Sequence, residues 1–170
     1  MPTRRHCLSL AAAGCAVAAV PRRSADAATG RADRLIVVKS ARRLYVLADG
    51  RELATYRVAL GRDPIGTKLY EGDGRTPEGD YRVDARNPAS GFYRALRISY
   101  PNAVDRARAK ALGQRAGGLV MIHGLPPERA GFGADQWKFD WTNGCIAVSN
   151  REMDELWARV EVGTPVEIRP

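Results

Sequence analysis

From residue 35 onward the chain alternates short apolar runs with turns rich in glycine and proline. Leu35-Ile36-Val37-Val38 and Leu44-Tyr45-Val46-Leu47 are apolar runs of strand length. Asp49-Gly50 supplies a hairpin turn into Leu53 to Leu60, where Tyr56 and Val58 alternate with Thr55 and Arg57. The glycine-rich stretch 61–79 predicts a loop, after which Tyr81 to Asp84 and Ala95 to Tyr100 return to strand character, with Leu96 and Ile98 on one side. Asn102 to Leu112 lacks glycine and proline and is closed by Gly113, which predicts a surface helix. The run Leu119 to Ile122 predicts a central strand that delivers His123 at its end. Ser149-Asn150-Arg151-Glu152 is a capping box, and the helix it opens places Met153, Leu156, Trp157 and Val160 on one face. Pro165 to Arg169 is the last strand. The pattern is that of a mainly β domain, a sandwich or open barrel, with two short helices.

The N-terminus follows a different pattern. Leu8 to Val20 is apolar for 13 residues, short of the roughly 18 that a membrane span requires. Arg4 and Arg5 precede it and Ala25-Asp26-Ala27 follows, which together read as an export signal with a small-residue cleavage site. Thr3 to Leu8 is similar to the twin-arginine export motif, with the general secretory route as the alternative. The expected division is a signal over 1–27, a small polar linker over 28–34 and a folded domain over 35–170, working in the periplasm or cell envelope. Removal of four arginines and one aspartate with the signal takes the net charge from +8 to +5. The remaining basic residues are scattered and do not interleave with aromatics, so nucleic acid is not an expected partner.

The same cut removes Cys7, Cys15 and His6, leaving Cys145 and His123 as the one cysteine and the one histidine of the mature chain. Such a pair cannot furnish the ligands of a zinc site, so neither a metal nor a cofactor is expected. A lone cysteine or histidine ordinarily serves packing. Here, however, Thr142-Asn143-Gly144-Cys145 puts the thiol directly after a polar turn. Glycine lets the backbone approach a carbonyl closely, and the amides of Asn143, Gly144 and Cys145 are candidate oxyanion donors. A thiol with a reference pKa of about 8.5 needs a base to attack at neutral pH, and His123 is the imidazole available. The long segment 125–141, with Pro126-Pro127, is a candidate lid lacking regular structure. Tyr93, Arg94, Arg97, Trp137, Trp141 and Thr142 are candidate lining residues of a peptide groove beneath it.

Three stretches in order, Gly72-Asp73-Gly74-Arg75-Thr76-Pro77-Glu78-Gly79-Asp80-Tyr81, Ile122-His123-Gly124 and Asp140-Trp141-Thr142-Asn143-Gly144-Cys145-Ile146, resemble the YkuD-type L,D-transpeptidase catalytic domain. The resemblance runs from about Leu35 to Pro170. It implies Cys145 as nucleophile, His123 as general acid and base, and the Gly124 carbonyl as the partner that orients the imidazole. It further implies peptidoglycan stem peptides as substrates, cleaved between diaminopimelate and D-alanine, with an amine as acceptor, that of an envelope protein being one candidate. Two positions depart from the pattern: Asn143 stands where the motif has a second histidine, and Ala147 where an arginine often follows. The 18 residues between His123 and Thr142 exceed the usual gap. These departures keep two alternatives open, a hydrolase of diaminopimelate-linked amides and an inactive peptidoglycan-binding module.

Overall fold

The computed structural model describes residues 30–170, so the expected signal over 1–27 and the first two linker residues lie outside the described residues. Eight strands form a single sheet: β1 (Arg34–Val38), β2 (Arg43–Ala48), β3 (Arg51–Arg57), β4 (Gly79–Ser90), β5 (Tyr93–Ile98), β6 (Met121–His123), β7 (Ile146–Ala147) and β8 (Pro165–Arg169). Their hydrogen-bonded order is β3-β2-β1-β8-β4-β5-β6-β7. The β1/β8 and β6/β7 pairs are parallel and the others antiparallel. β4 belongs to both halves: Gly79 to Arg82 pair with β8, and a register shift between Val83 and Ala85 turns the rest onto β5. At the far ends, Ala59, just beyond β3, exchanges backbone hydrogen bonds of 3.0 and 2.9 Å with Ala147 of β7. The sheet therefore curls back on itself, within the mainly β architecture that the sequence predicts.

Period-two alternation builds the core. Leu35 and Val37 of β1, Leu44 and Val46 of β2, and Val166 and Ile168 of β8 point inward, while their neighbours face outward or sit at the margin. Helix α1 (Ala103–Ala111) starts at a capping box between Asn102 and Asp105, and Gly113 follows it with φ 65°. Helix α2 (Asn150–Arg159) has the expected Ser149–Glu152 box, and it buries Met153 and Leu156 against the sheet.

Three local expectations are corrected. β4 does not stop at Asp84 but continues to Ser90. That extension is a projecting hairpin arm with few buried positions, so it lacks the apolar alternation that marks a strand. The run at 119–122 is not strand throughout: Leu119 is 69% exposed with φ 56°, and pairing begins at Met121. The segment 125–141 is not structureless either. Residues Pro127–Lys138 form two 3-10 stretches broken at Gly133, and the buried Gln136 side chain donates to Ala147 O at 2.9 Å.

Candidate active site

β6 ends at His123, and Cys145 stands immediately before β7. The register of these two strands pairs Ile122 with Ile146 and His123 with Ala147, and both isoleucines face the core. Extended by one residue, that register sets Cys145 beside Met121, so Cys145 and His123 occupy the same face of adjacent strands, two positions apart. For strands about 4.8 Å apart with about 3.3 Å of rise per residue, such Cα atoms lie about 8 Å apart, a span that two side chains bridge.

The turn before Cys145 is locked from within. Thr142 Oγ1 donates to Cys145 O at 2.8 Å and accepts from Gly144 N at 3.1 Å. The Gly144 N–H expected to face an oxyanion is thus engaged inside the turn, and Thr142, expected to touch substrate, is a buried brace. Gly144 has φ 123°, and a Cβ there would lie 2.5 Å from Arg75 O, so glycine is required by both backbone and space. Gly124 is crowded too, but by a side chain: a Cβ there would meet Asn150 Oδ1 at 2.6 Å. That amide oxygen accepts from Leu125 N and holds the chain as it leaves β6.

His123 is buried, with Nδ1 2.7 Å from Gly124 O. A carbonyl only accepts, so Nδ1 bears the proton and Nε2 is the basic nitrogen. The ring lies 4.5 Å from Phe92 and 5.7 Å from Trp141, centroid to centroid. Burial pushes the imidazole pKa down to about 4, against the smaller opposing effect of the Gly124 hydrogen bond. Burial also pushes the Cys145 thiol up, against smaller pulls from the Met121 backbone and the charge of Lys68. Both groups are therefore neutral at pH 7. The thiol donates to Leu119 O at 3.6 Å and lines a cavity of about 640 Å³.

The family model for the L,D-transpeptidase catalytic domain, YkuD, matches residues 32–168. The chain belongs to this family. YafK of Escherichia coli K12, which carries the L,D-transpeptidase name, is 32% identical over 108 residues, 62% of this chain and 36% of its own. YqjB of Bacillus subtilis, named likewise, is 31% identical over 140 residues, 79% of this chain and 69% of its own. The chain thus spans about a third of the length of YafK. Among solved structures, the helical cell shape determining protein Pgp2 of Campylobacter jejuni is 27% identical, with a TM-score of 0.59 over 83% of this chain and 50% of that one. An L,D-transpeptidase of Mycobacterium smegmatis, 18% identical, shares the fold with a TM-score of 0.55 over 82% of this chain and 59% of its own.

Within this L,D-transpeptidase domain the remaining candidates divide. Trp141 packs against His123, and its Nε1 donates to Gln136 Oε1 at 3.3 Å. Tyr93 and Arg94 flank the His123–Gly124 turn, but both side chains are tied to Asp154 of α2, at 3.0 and 2.9 Å. Arg97 pairs with Asp84 on the surface and Trp137 lies under Arg57, and neither lines the Cys145 cavity. Sequence reasoning missed Phe92, Arg62 and the buried pair Lys68–Asp73. Asp73, embedded in the Gly72–Tyr81 stretch, was the one signal present. Burial opposes its charge, but Lys68 and the amides of Arg75, Leu69 and Tyr70 hold its carboxyl below the usual range. Among the described residues no group of three or more His, Cys, Asp and Glu side chains is placed to hold a metal ion, and no helix is long and apolar enough to cross a membrane.

Proposed function

We propose that this domain is an exported cysteine acyltransferase acting on peptidoglycan stem peptides. The observation that carries the reading is that His123, at the end of β6, and Cys145, one residue before β7, fall on the same side of this strand pair when its register is extended by one residue, with the thiol lining a cavity of about 640 Å³ and the Gly124 hydrogen bond engaging Nδ1 rather than Nε2. The reaction requires Sγ to leave Leu119 O and approach His123 Nε2, by rotation about the Cys145 Cα–Cβ bond. Because both groups are neutral at rest, His123 Nε2 takes the thiol proton as Sγ attacks the carbonyl carbon linking diaminopimelate to D-alanine. The Cys145 N–H and that of Asn143 are the donors for the developing oxyanion, since that of Gly144 is engaged. The C–N bond then breaks, His123 returns the proton to the departing amine, and a thioester remains on Cys145. An incoming amine resolves it to a cross-link, and water resolves it to a hydrolysis product. The chemistry calls on no metal or cofactor.

The test is incubation of the purified domain with a diaminopimelate tetrapeptide ending in D-alanine. Release of D-alanine with a cross-linked product supports transpeptidation, and release with the free tripeptide supports the hydrolase alternative. Absence of turnover together with an unreactive thiol identifies a binding module. Export through residues 1–27 belongs to the same proposal, and full-length unprocessed protein recovered from the cytoplasm of the native host would overturn it.

A further inference from the structure

Two lysines are buried in and around the glycine-rich loop between β3 and β4, and their surroundings differ. Lys39 has acceptors for all three of its protons: Gly66 O at 2.5 Å, Thr76 O at 3.0 Å and Glu78 Oε1 at 2.7 Å. It is a brace for the loop. The Lys68 side chain is equally enclosed, 4% exposed, yet among the described residues it donates only to Asp73 Oδ1, at 2.7 Å. Two of its protons have no acceptor among the described residues, and the residue lines the Cys145 cavity, with Nζ 3.6 Å from where a Gly144 Cβ would stand. An ammonium with two open donors in a space of this size has room for a ligand.

Arg62 lines the same cavity. Its guanidinium donates to Asn143 Oδ1, and it forms no ion pair among the described residues. Every carboxylate of the cavity wall, by contrast, has a cation: Asp63 pairs with Arg75 at 2.9 Å, Glu71 with Arg115 at 2.6 Å, and Asp73 with Lys68. The wall and its partners thus hold four cations against three carboxylates, and the uncompensated charge is on Arg62. The consecutive residues Asn143, Gly144 and Cys145 thereby present, in order, the side chain that holds Arg62, a glycine packed against Arg75 O with Lys68 beside it, and the thiol.

We propose that Lys68 and Arg62 form a carboxylate-binding subsite of the Cys145 cavity, which reads a free carboxylate on the acyl-donor peptide. The pairing explains Asn143 as well: its amide oxygen accepts from a guanidinium, which a protonated imidazole would repel. The subsite rests on the acyl-donor reading of the cavity given above, and binding can be measured without the chemistry. In the Cys145→Ala protein, calorimetry compares a diaminopimelate tetrapeptide as its free acid with the same peptide carrying carboxamides. The acid binds at least about tenfold more tightly, because a carboxamide cannot form the charge-assisted hydrogen bonds that a carboxylate accepts. Arg62→Gln and Lys68→Met each remove most of that preference while leaving amide binding unchanged, and Arg62→Lys restores part of it.

Equal binding of acid and amide overturns the subsite, and the acyl-enzyme reading stands if wild-type protein still turns over either peptide. Failure of both peptides to bind, with no turnover by wild type, overturns both. If Lys68→Met and Arg62→Gln lower kcat on acid and amide alike and leave the preference intact, the two cations act on the reaction rather than on recognition, and the subsite is wrong. Should Lys68→Met fail to fold, the exposed Arg62→Gln carries the test alone.

Discussion

The two ends of the sheet are built by different means. At the β1, β2 and β8 end, strands of five and six residues alternate buried and outward positions, and ladder bonds with apolar packing hold them. At the other end β6 has three residues and β7 two, too few for the ladder to suffice. Side chains bonded to backbone do the joining there: Gln136 to Ala147 O, Thr142 to Cys145 O and Asn150 Oδ1 from Leu125 N. The regular end spends its inward positions on packing. The irregular end keeps a buried neutral imidazole, a thiol and a lysine with open donors, and its short strands let loops converge on them.

The largest effect that sharpens this contrast is expected at His123. His123→Gln lowers kcat by about a thousandfold, as loss of a general base does, while the thermal midpoint stays within a few degrees. An equal loss of folding and activity would make His123 a packing residue. Leu44→Ala does the reverse at the other end. It removes a fully buried side chain, costs about 3 kcal/mol in denaturant unfolding, and leaves kcat per folded molecule unchanged.

Third in size is a pH effect assigned to one residue. His123 is held neutral, its pKa lowered from 6.5 to about 4, so between those values the unfolded chain binds a proton that the folded one does not. Stability supplied by this group is complete above pH 6.5 and lost as pH falls toward 4, by up to about 3 kcal/mol. Urea titrations at pH 7 and 4.5 measure it, and in His123→Gln the difference shrinks by about that amount. The companion expectation concerns Cys145, whose thiol is raised by burial. Its alkylation by iodoacetamide keeps climbing past pH 9, whereas a resting thiolate–imidazolium pair would give a plateau through neutrality. The smallest effect is at Asn143, where alanine preserves the backbone amide: turnover stays within about tenfold of wild type, the change appearing in KM as Arg62 loses its tether.

Legibility in the sequence follows the same division. Strands β1, β2 and β8 and the Ser149 capping box were readable because short apolar runs between turns and capping are local signals, whereas the Asn102–Asp105 box emerged only in the structure. Cys145 and His123 stood out by elimination and by the motifs around them. The arm of β4 beyond Asp84 was not readable because it projects from the core and buries little. Lys68 and Arg62 carried no local signal, since what distinguishes them is the number of acceptors that distant loops supply. Gly144 was readable as a glycine that must be glycine, but its N–H was assigned to an oxyanion because the sequence gives no sign that Thr142 turns back to take it.

The central claim, a thioester on Cys145, is tested most directly by intact mass spectrometry of the domain after brief incubation with the diaminopimelate tetrapeptide. The account predicts an adduct of the tetrapeptide less D-alanine, located on Cys145, removed by hydroxylamine and absent from Cys145→Ala. Turnover of the peptide by Cys145→Ala at the wild-type rate, with no adduct on the wild-type protein, would contradict it.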